Sequence, residues 1–326
     1  MPFPKLGKKS RERGLRLFFV TDVHGSDRCF KKFLNAGRFY DVDHLILGGD
    51  ITGKSIVPIE IVPTGWRARY GDDLYELSTE SELHELEQLV RDGGSYPVVG
   101  ERDELLRLDD EAHREQVFTQ VVVDGIRRWV DLAEERLSGT GIRCFVTPGN
   151  DDFFEIDEPL RESEIVEFVE GRCVHLDDRH EMITTGYSNP TPWDTPRELP
   201  EEQMAARIEE MYAQVEQPES LVAVLHPPPY GTDLDQAPAI DGEFRVKLEA
   251  GGVKFAPVGS TAVRDFVERR QPLLALHGHV HESKAAQYLG RTLCINPGSE
   301  YTEGTLVGAI VTLGDAGVLS HQFVTG

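Results

Sequence analysis

The chain has 326 residues, 39% hydrophobic and 28% charged. That is an ordinary composition for a soluble globular protein, and the length suffices to bury a core without disulfide staples. Lys plus Arg number 34 against 57 Asp plus Glu, a net charge of −23. This excludes a nucleic-acid-coating protein, which needs basic surface to displace counterions, and it excludes adhesion to an anionic membrane. An anionic substrate remains compatible with the charge, because a metal cluster reverses the field at one site.

Cys29, Cys144, Cys173 and Cys294 form no CxxC pair, and three of them lie in or beside apolar runs. They read as small buried hydrophobes in a reducing, cytoplasmic setting. Residues 1–14 read as a solvated basic tail carrying Lys5, Lys8, Lys9, Arg11 and Arg13. The apolar run that follows is too short for a signal segment or a membrane span.

Residues 15–21, rich in Phe and Val, predict a buried strand. Ser26 is placed to cap a helix over residues 27–36, which Gly37 should stop. Residues 43–47 predict a second buried strand, ending in Gly48-Gly49-Asp50. Residues 51–100 read as an insertion: short strands at 56–62, 66–70 and 74–77, a helix at 81–90 and a Gly/Pro loop at 91–100. Residues 101–137 are helical, as one helix or two, with Phe118, Val121, Val122, Ile126, Trp129 and Ala133 at core-face spacing. A third buried strand at 142–147 ends in Pro148-Gly149-Asn150-Asp151. Later strands are expected at 181–185, 221–225, 273–276, 292–295 and 306–313, with helices at 198–215 and 261–269. Strands alternate with helices at first and then follow one another closely, which predicts an α/β fold with mixed sheets, here as one domain over 1–326.

Several of these strands end in metal-ligand residue types: Asp22-x-His24, Gly49-Asp50, Gly149-Asn150-Asp151-Asp152, His226, and His277-Gly278-His279-Val280-His281. Ligands of α/β sheets bind outside the carboxyl ends of the strands, so these groups can converge on one crevice. In extended chain, residues two apart point the same way, so Asp22 with His24, and His279 with His281, each offer two ligands to one site. Imidazole, carboxylate and amide oxygen suit Mn, Fe, Zn, Co or Ni, and no thiolate is offered.

In this ordered set the chain resembles the calcineurin-like metallophosphoesterase superfamily. Asn296-Pro297-Gly298-Ser299 also looks like the turn that follows the last histidine motif in many members. The resemblance runs from about residue 15 to 300, outside the insertion. It implies a four-layered α/β/β/α sandwich with two divalent metal ions, Mn or Fe foremost. One ion would be held by Asp22, His24, Asp50 and His281, and the second by Asp50, Asn150, His226 and His279. It implies a phosphoester hydrolase in which a metal-bridging hydroxide attacks phosphorus in line, with Asp151, Asp152 and His226 as catalytic candidates. The family usually has His after the motif Asn, and this chain has Asp151. An ionised Asp151 would repel phosphate, and a missing general acid costs about 10²–10⁴-fold. Phosphodiesters and other esters with good leaving groups are therefore the expected substrates. A degenerate metal-binding scaffold and a phosphoprotein phosphatase are the alternatives.

Small phosphoesters are the expected partners, with nucleic acid and membrane set aside. In the insertion, Trp66, Arg67 and Arg69 suit a substrate with a flat or anionic distal part. The competing reading makes the insertion a flap packed on the body or a homodimer contact, with Trp66 as a core anchor.

Overall fold

The computed structural model describes residues 14–249, 251–315 and 317–326; the basic segment 1–13 lies outside the described residues. Two six-stranded mixed sheets form the centre. The first runs, in spatial order, Gly317–Thr325, Val307–Gly314, Leu15–Val20, His44–Gly48, Arg143–Thr147 and Val166–Phe168. The second runs Ala285–Leu289, Thr292–Asn296, Leu274–Leu276, Leu221–Leu225, Glu181–Thr185 and Arg172–His175. In the first sheet Leu15–Val20, His44–Gly48, Arg143–Thr147 and Val166–Phe168 pair in parallel, and the antiparallel pairs lie on the side of Val307–Gly314 and Gly317–Thr325. In the second the four inner strands pair in parallel and both edge strands pair antiparallel.

The layering follows from side-chain alternation. Successive residues of a strand face opposite sides, so an apolar run covered on both faces is divided between two cores. Leu17 and Phe19 of the first strand, with Ile46 and Phe145, pack against Val222, Val224, Leu274, Leu276 and Ile295 of the other sheet. Phe18 and Val20, with Leu45, Leu47 and Val146, pack under helices Asp27–Phe39 and Glu111–Leu137. On the far side, Ala223, Leu225 and Ala275 pack under helices Glu201–Tyr212 and Thr261–Arg270. The result is the expected α/β/β/α order.

Two local readings are corrected. Gly37 does not stop the first helix, which runs Asp27–Phe39 with Ser26 as its cap; Gly37 is buried in that helix, and the missing side chain lets Ile142 and Leu45 close over it. Within residues 91–100, the segment Ser95–Gly100 is a strand, not a loop. It pairs in parallel with Ser55–Val62, and Pro97 is accommodated there.

The insertion is therefore a small α/β unit. Its sheet runs Asp73–Leu77, Gly65–Tyr70, Ser55–Val62, Ser95–Gly100, with helix Glu80–Asp92 as the crossover. It has a core of its own, in which Val57, Ile59, Ala68, Leu86 and Val90 are buried and Trp66, Tyr70, Tyr75, Leu77 and Leu83 pack around them. It is tied to the body at its root: Ser26 Oγ donates to Asp92 O at 2.6 Å, and Arg28 pairs with Asp92 at 3.1 Å.

Candidate metal centre

The carboxyl ends of the parallel strands lead into the loops that carry the motif residues. Asp22 and His24 follow the first strand, Asp50 follows His44–Gly48, Asn150 to Asp152 follow Arg143–Thr147, His226 follows Leu221–Leu225, and His279 and His281 follow Leu274–Leu276. The backbone there is forced into an uncommon shape. Asp22, His24, Asp50 and His279 all have positive φ, at 53°, 39°, 48° and 67°. Non-glycine residues in the left-handed region cost energy and persist only where their surroundings over-determine them, which is typical of functional sites. Gly149 is needed for a different reason: a Cβ there would lie 2.1 Å from Asp50 Oδ1.

Three groups of potential ligand atoms converge, each within 4.8 Å: Asp22 with His24 and His281; Asp50 with His226 and His279; and His24 with Asp50 and Asp151. His281 Nε2 is 3.3 Å from Asp22 Oδ1 and 3.1 Å from His24 Nε2. Asp50 turns one oxygen toward each of the first two groups. Its Oδ2 is 3.8 Å from His24 Nε2, and its Oδ1 is 3.4 Å from His226 Nε2. The Asn150 amide oxygen lies 2.8 Å from His279 Nδ1. All seven residues expected as ligands are thus brought to one place.

Surrounding groups orient them. His226 Nδ1 donates to Gly48 O at 3.0 Å, which leaves Nε2 facing Asp50. That Nε2 is buried and makes no directed hydrogen bond, although it sits at ion-pair distance. Asn150 Nδ2 donates to Thr195 Oγ1 at 2.9 Å, turning its oxygen inward. Ser299 Oγ donates to Asp22 O at 2.6 Å, and Asn296 Nδ2 donates to Val280 O at 3.0 Å. The Asn296-Pro297-Gly298-Ser299 turn thereby braces both the first and the last motif.

The electrostatics suit cations. Burial pushes His24 down to about 3 and His279 down to about 4, so both present neutral nitrogen lone pairs. Against the cost of burial, Asp50 pushes His226 up to about 10, and Asp22 raises His281. Asp22 falls to about 2 and Asp50 falls well below the carboxylate range, both against burial and through the facing histidines. Protons on His226 and His281 thus balance two buried carboxylates where divalent ions would otherwise do so. Imidazoles, carboxylates and an amide oxygen, with an unpartnered imidazole nitrogen among them, fit a pair of first-row divalent ions.

Residues 15–283 match the calcineurin-like phosphoesterase family. The chain belongs to that family, a family of metal-dependent phosphoester hydrolases. It is 28% identical over 152 residues to the uncharacterized protein MJ1162 of Methanocaldococcus jannaschii, a stretch covering 46% of this chain and 61% of the relative. The chain thus spans less than two thirds of the length of that curated relative. The crystal structure of TT1561 of Thermus thermophilus superposes with a TM-score of 0.53 at 11% identity, covering 96% of this chain and 98% of that one. A further crystal structure superposes with a TM-score of 0.58 at 15% identity, with the same two coverages. These are likenesses of fold. Among the described residues, no helix is long and apolar enough to cross a membrane.

The catalytic candidates separate. His226 lies in the ligand cluster. Asp151 also faces it: its backbone N–H donates to Asp50 Oδ1 at 3.1 Å, and burial together with the charge of Asp50 pushes its carboxyl up to about 6. Its carboxylate pairs with the Lys54 ammonium. Asp152 lies behind the cluster, fully buried. It accepts from Ile51 N at 3.0 Å, Thr52 N at 2.8 Å, Thr52 Oγ1 at 2.6 Å and Gly149 N at 2.6 Å. Those bonds occupy both oxygens and join the Asp50 and Asn150 loops, which makes Asp152 a brace. The buried Arg197 supports the same loop, donating to Asp152 O at 2.8 Å and pairing with Asp157 at 2.7 Å.

The three substrate candidates of the insertion are not brought together. Trp66 packs on the insertion's own core. Arg67 and Arg69 alternate with it along the strand, are exposed, and Arg67 pairs with Glu60 at 2.9 Å. Sequence reasoning missed Lys54 and Tyr301. The Tyr301 ring stands 4.7 Å from the His24 ring and 6.0 Å from that of His281. Its place in the segment after Ser299 was the only available signal.

Proposed function

We propose that this chain hydrolyses small phosphate esters with two divalent ions, Mn or Fe foremost and Zn, Co or Ni as substitutes. Asp22, His24, Asp50 and His281 hold one ion, and Asp50, Asn150, His226 and His279 hold the other. The observation that carries the reading is Asp50, whose two oxygens face two different ligand groups. Bound there, the ions supply Lewis-acid activation of a water and neutralisation of phosphoryl oxygens.

The protein's own part is to hold and orient. Gly48 sets the His226 tautomer, Thr195 turns the Asn150 oxygen inward, and Asp152 keeps the two loops in register. In the reaction an oxygen from water joins phosphorus and the ester oxygen departs. With Asp151 where an imidazole would stand, the departing oxygen lacks a histidine donor. Esters of acidic alcohols, such as aryl phosphodiesters, miss it least. The cytoplasmic setting belongs to the same reading, with Cys29, Cys144 and Cys294 buried and unpaired.

The test is chelator-stripped protein reconstituted with Mn²⁺, with ions counted per chain and turnover measured on aryl diesters, alkyl monoesters and a phosphopeptide. The expected result is two ions and fastest turnover of the aryl diester. No more than one ion under excess Mn²⁺ overturns the metal assignment. Two ions without turnover supports a scaffold, and a preferred phosphopeptide supports a protein phosphatase.

A further inference from the structure

Lys54 lies four residues beyond Asp50, where the chain leaves the metal crevice to begin the insertion. It ends a segment that is held from both sides. Asp152 accepts from the backbone N–H groups of Ile51 and Thr52 and from the Thr52 hydroxyl. Gly53 N donates to the Tyr96 hydroxyl at 2.9 Å, from the last strand of the insertion. At Gly53 the backbone of Gly94 approaches so closely that a Cβ would lie 2.0 Å from its carbonyl oxygen. The stem of Lys54 therefore leaves a fixed point. Its head reaches the Asp151 carboxylate, and Asp151 itself lies within ligand distance of His24 and Asp50.

This ammonium is half-exposed, whereas the Asp151 side chain is 19% exposed and Asp22 and Asp50 are buried. It is thus a cation at the mouth of a crevice whose floor is the ligand cluster. A charge count gives it a purpose. Two divalent ions, if held here, would bring +4 against −2 from Asp22 and Asp50; an ionised Asp151 would lower that positive balance by one, and Lys54 restores it. A lysine is a compact point charge with three donors on a flexible stem, so it can keep one bond to Asp151 and direct another outward.

We propose that Lys54 is a substrate-binding residue: its ammonium hydrogen-bonds a non-bridging oxygen of the phosphoryl group, and Asp151 is the positioning residue that aims it. The Lys54–Asp151 pair stands where other family members carry the histidine, supplying charge and a hydrogen bond and transferring no proton. This deepens, and for catalysis rests on, the reading of the cluster as a two-metal hydrolase. Binding of phosphate to the metal-loaded protein tests it separately.

The experiment uses full-length, Mn²⁺-loaded protein in wild-type, Lys54→Ala, Lys54→Arg and Asp151→Asn forms. Bound Mn²⁺ per chain, the Kd of inorganic phosphate by calorimetry, and kcat and KM for an aryl phosphodiester are measured for each. Lys54→Ala should keep its metal content and bind phosphate roughly 10- to 100-fold more weakly, the scale of one charge-assisted hydrogen bond. Lys54→Arg should recover part of that loss, and Asp151→Asn should show a smaller loss. Unchanged phosphate Kd in Lys54→Ala overturns the proposal, as does loss of bound Mn²⁺ in that variant, which would make Lys54 a support of the metal site. Should the wild type turn over no ester while Lys54→Ala still weakens phosphate binding, the hydrolase reading falls and the Lys54 contact stands.

Discussion

The strand-end loops and the insertion are built on different terms. In the loops, buried polar groups are held by many partners: four candidate ligand residues have positive φ, and Asp152 alone accepts four hydrogen bonds. In the insertion, an amphipathic sheet and one helix close over a small apolar core, and the part of the opposite face that carries Arg67 and Arg69 is exposed. The first arrangement spends stability to hold charge in place. The second gains stability by ordinary burial. Substitutions should therefore separate function from folding in opposite ways in the two regions.

The sharpest break in that comparison is Asp50→Ala. It removes the carboxylate shared by both candidate ligand groups and leaves His226 and His24 facing only the Asp22 carboxylate, at 4.0 Å from each. Activity of Mn²⁺-reconstituted protein should fall by at least about 10³-fold, the scale of losing a principal charge-stabilising group. Metal analysis should find no more than one ion per chain. Asp152→Ala should act on the fold first. Its buried donors Ile51 N, Thr52 N and Gly149 N lose their acceptor, at a cost of about 2–4 kcal/mol, read as a lowered denaturation midpoint. Retained midpoint with lost activity would return Asp152 to the chemistry.

The charge balance of the loops also makes a pH prediction. His226 is pushed up to about 10 in the metal-free fold. A folded value above the unfolded 6.5 means that its stabilisation is complete below pH 6.5 and is lost as pH rises through about 10. Asp22, pushed down to about 2, contributes fully above its ordinary 3.8 and is lost as pH falls through about 2. Stripped protein should therefore lose thermal stability between pH 7 and pH 10. Metal-loaded protein should lose less, because the ion has displaced the proton. Parallel melting curves with and without bound metal decide this, and identical pH slopes would mean that the histidines do not share the ion's place.

The same contrast explains what could be read from the sequence. Buried parallel strands are continuous apolar runs, so Glu181–Thr185 and Leu221–Leu225 stand where they were expected, and candidate ligands such as His226, directly after Leu225, were legible because strand ends are local features. Ser95–Gly100 was not legible, because Pro97 and flanking glycines outweigh its propensity until pairing with Ser55–Val62 decides it. Antiparallel strands such as Ala285–Leu289 and Gly317–Thr325 lack a strong apolar pattern and are defined by their neighbours. The Lys54–Asp151 pair joins residues far apart in the chain, and no spacing rule reports such a contact. Trp66 was ambiguous because alternation along a strand shows which residues share a face but not what covers that face.

Trp66→Ala sharpens the comparison from the other side. Trp66 is half-buried against the insertion's core, so truncation should cost about 2–3 kcal/mol, below the range for a fully buried aromatic. The loss should stay local: faster hydrogen exchange across residues 55–100, with the Mn²⁺ content of the protein unchanged. Loss of metal along with the insertion would show that the two regions fold as one cooperative unit and that the difference in their construction carries no independence.

The smallest effect is expected from replacing Arg67 and Arg69 together with Ala. Both lie on the exposed face of the strand, opposite the core-facing Trp66, Ala68 and Tyr70. That strand is separated from Ser95–Gly100, whose Tyr96 meets the body, by Ser55–Val62. Arg67 is engaged with Glu60, and an exposed pair of this kind contributes about 0–1 kcal/mol. Stability should thus move by no more than about 1 kcal/mol, and kcat and KM for phosphoesters should not change. A raised KM at unchanged mass would mean that substrate reaches across the insertion's outer face, and the placement of the pocket at the loops alone would have to be given up. A lower oligomeric mass with unchanged kinetics would instead identify that face as the contact between two copies of the chain, since the exposed edge strand Asp73–Leu77, with Leu74 outward, is continuous with it.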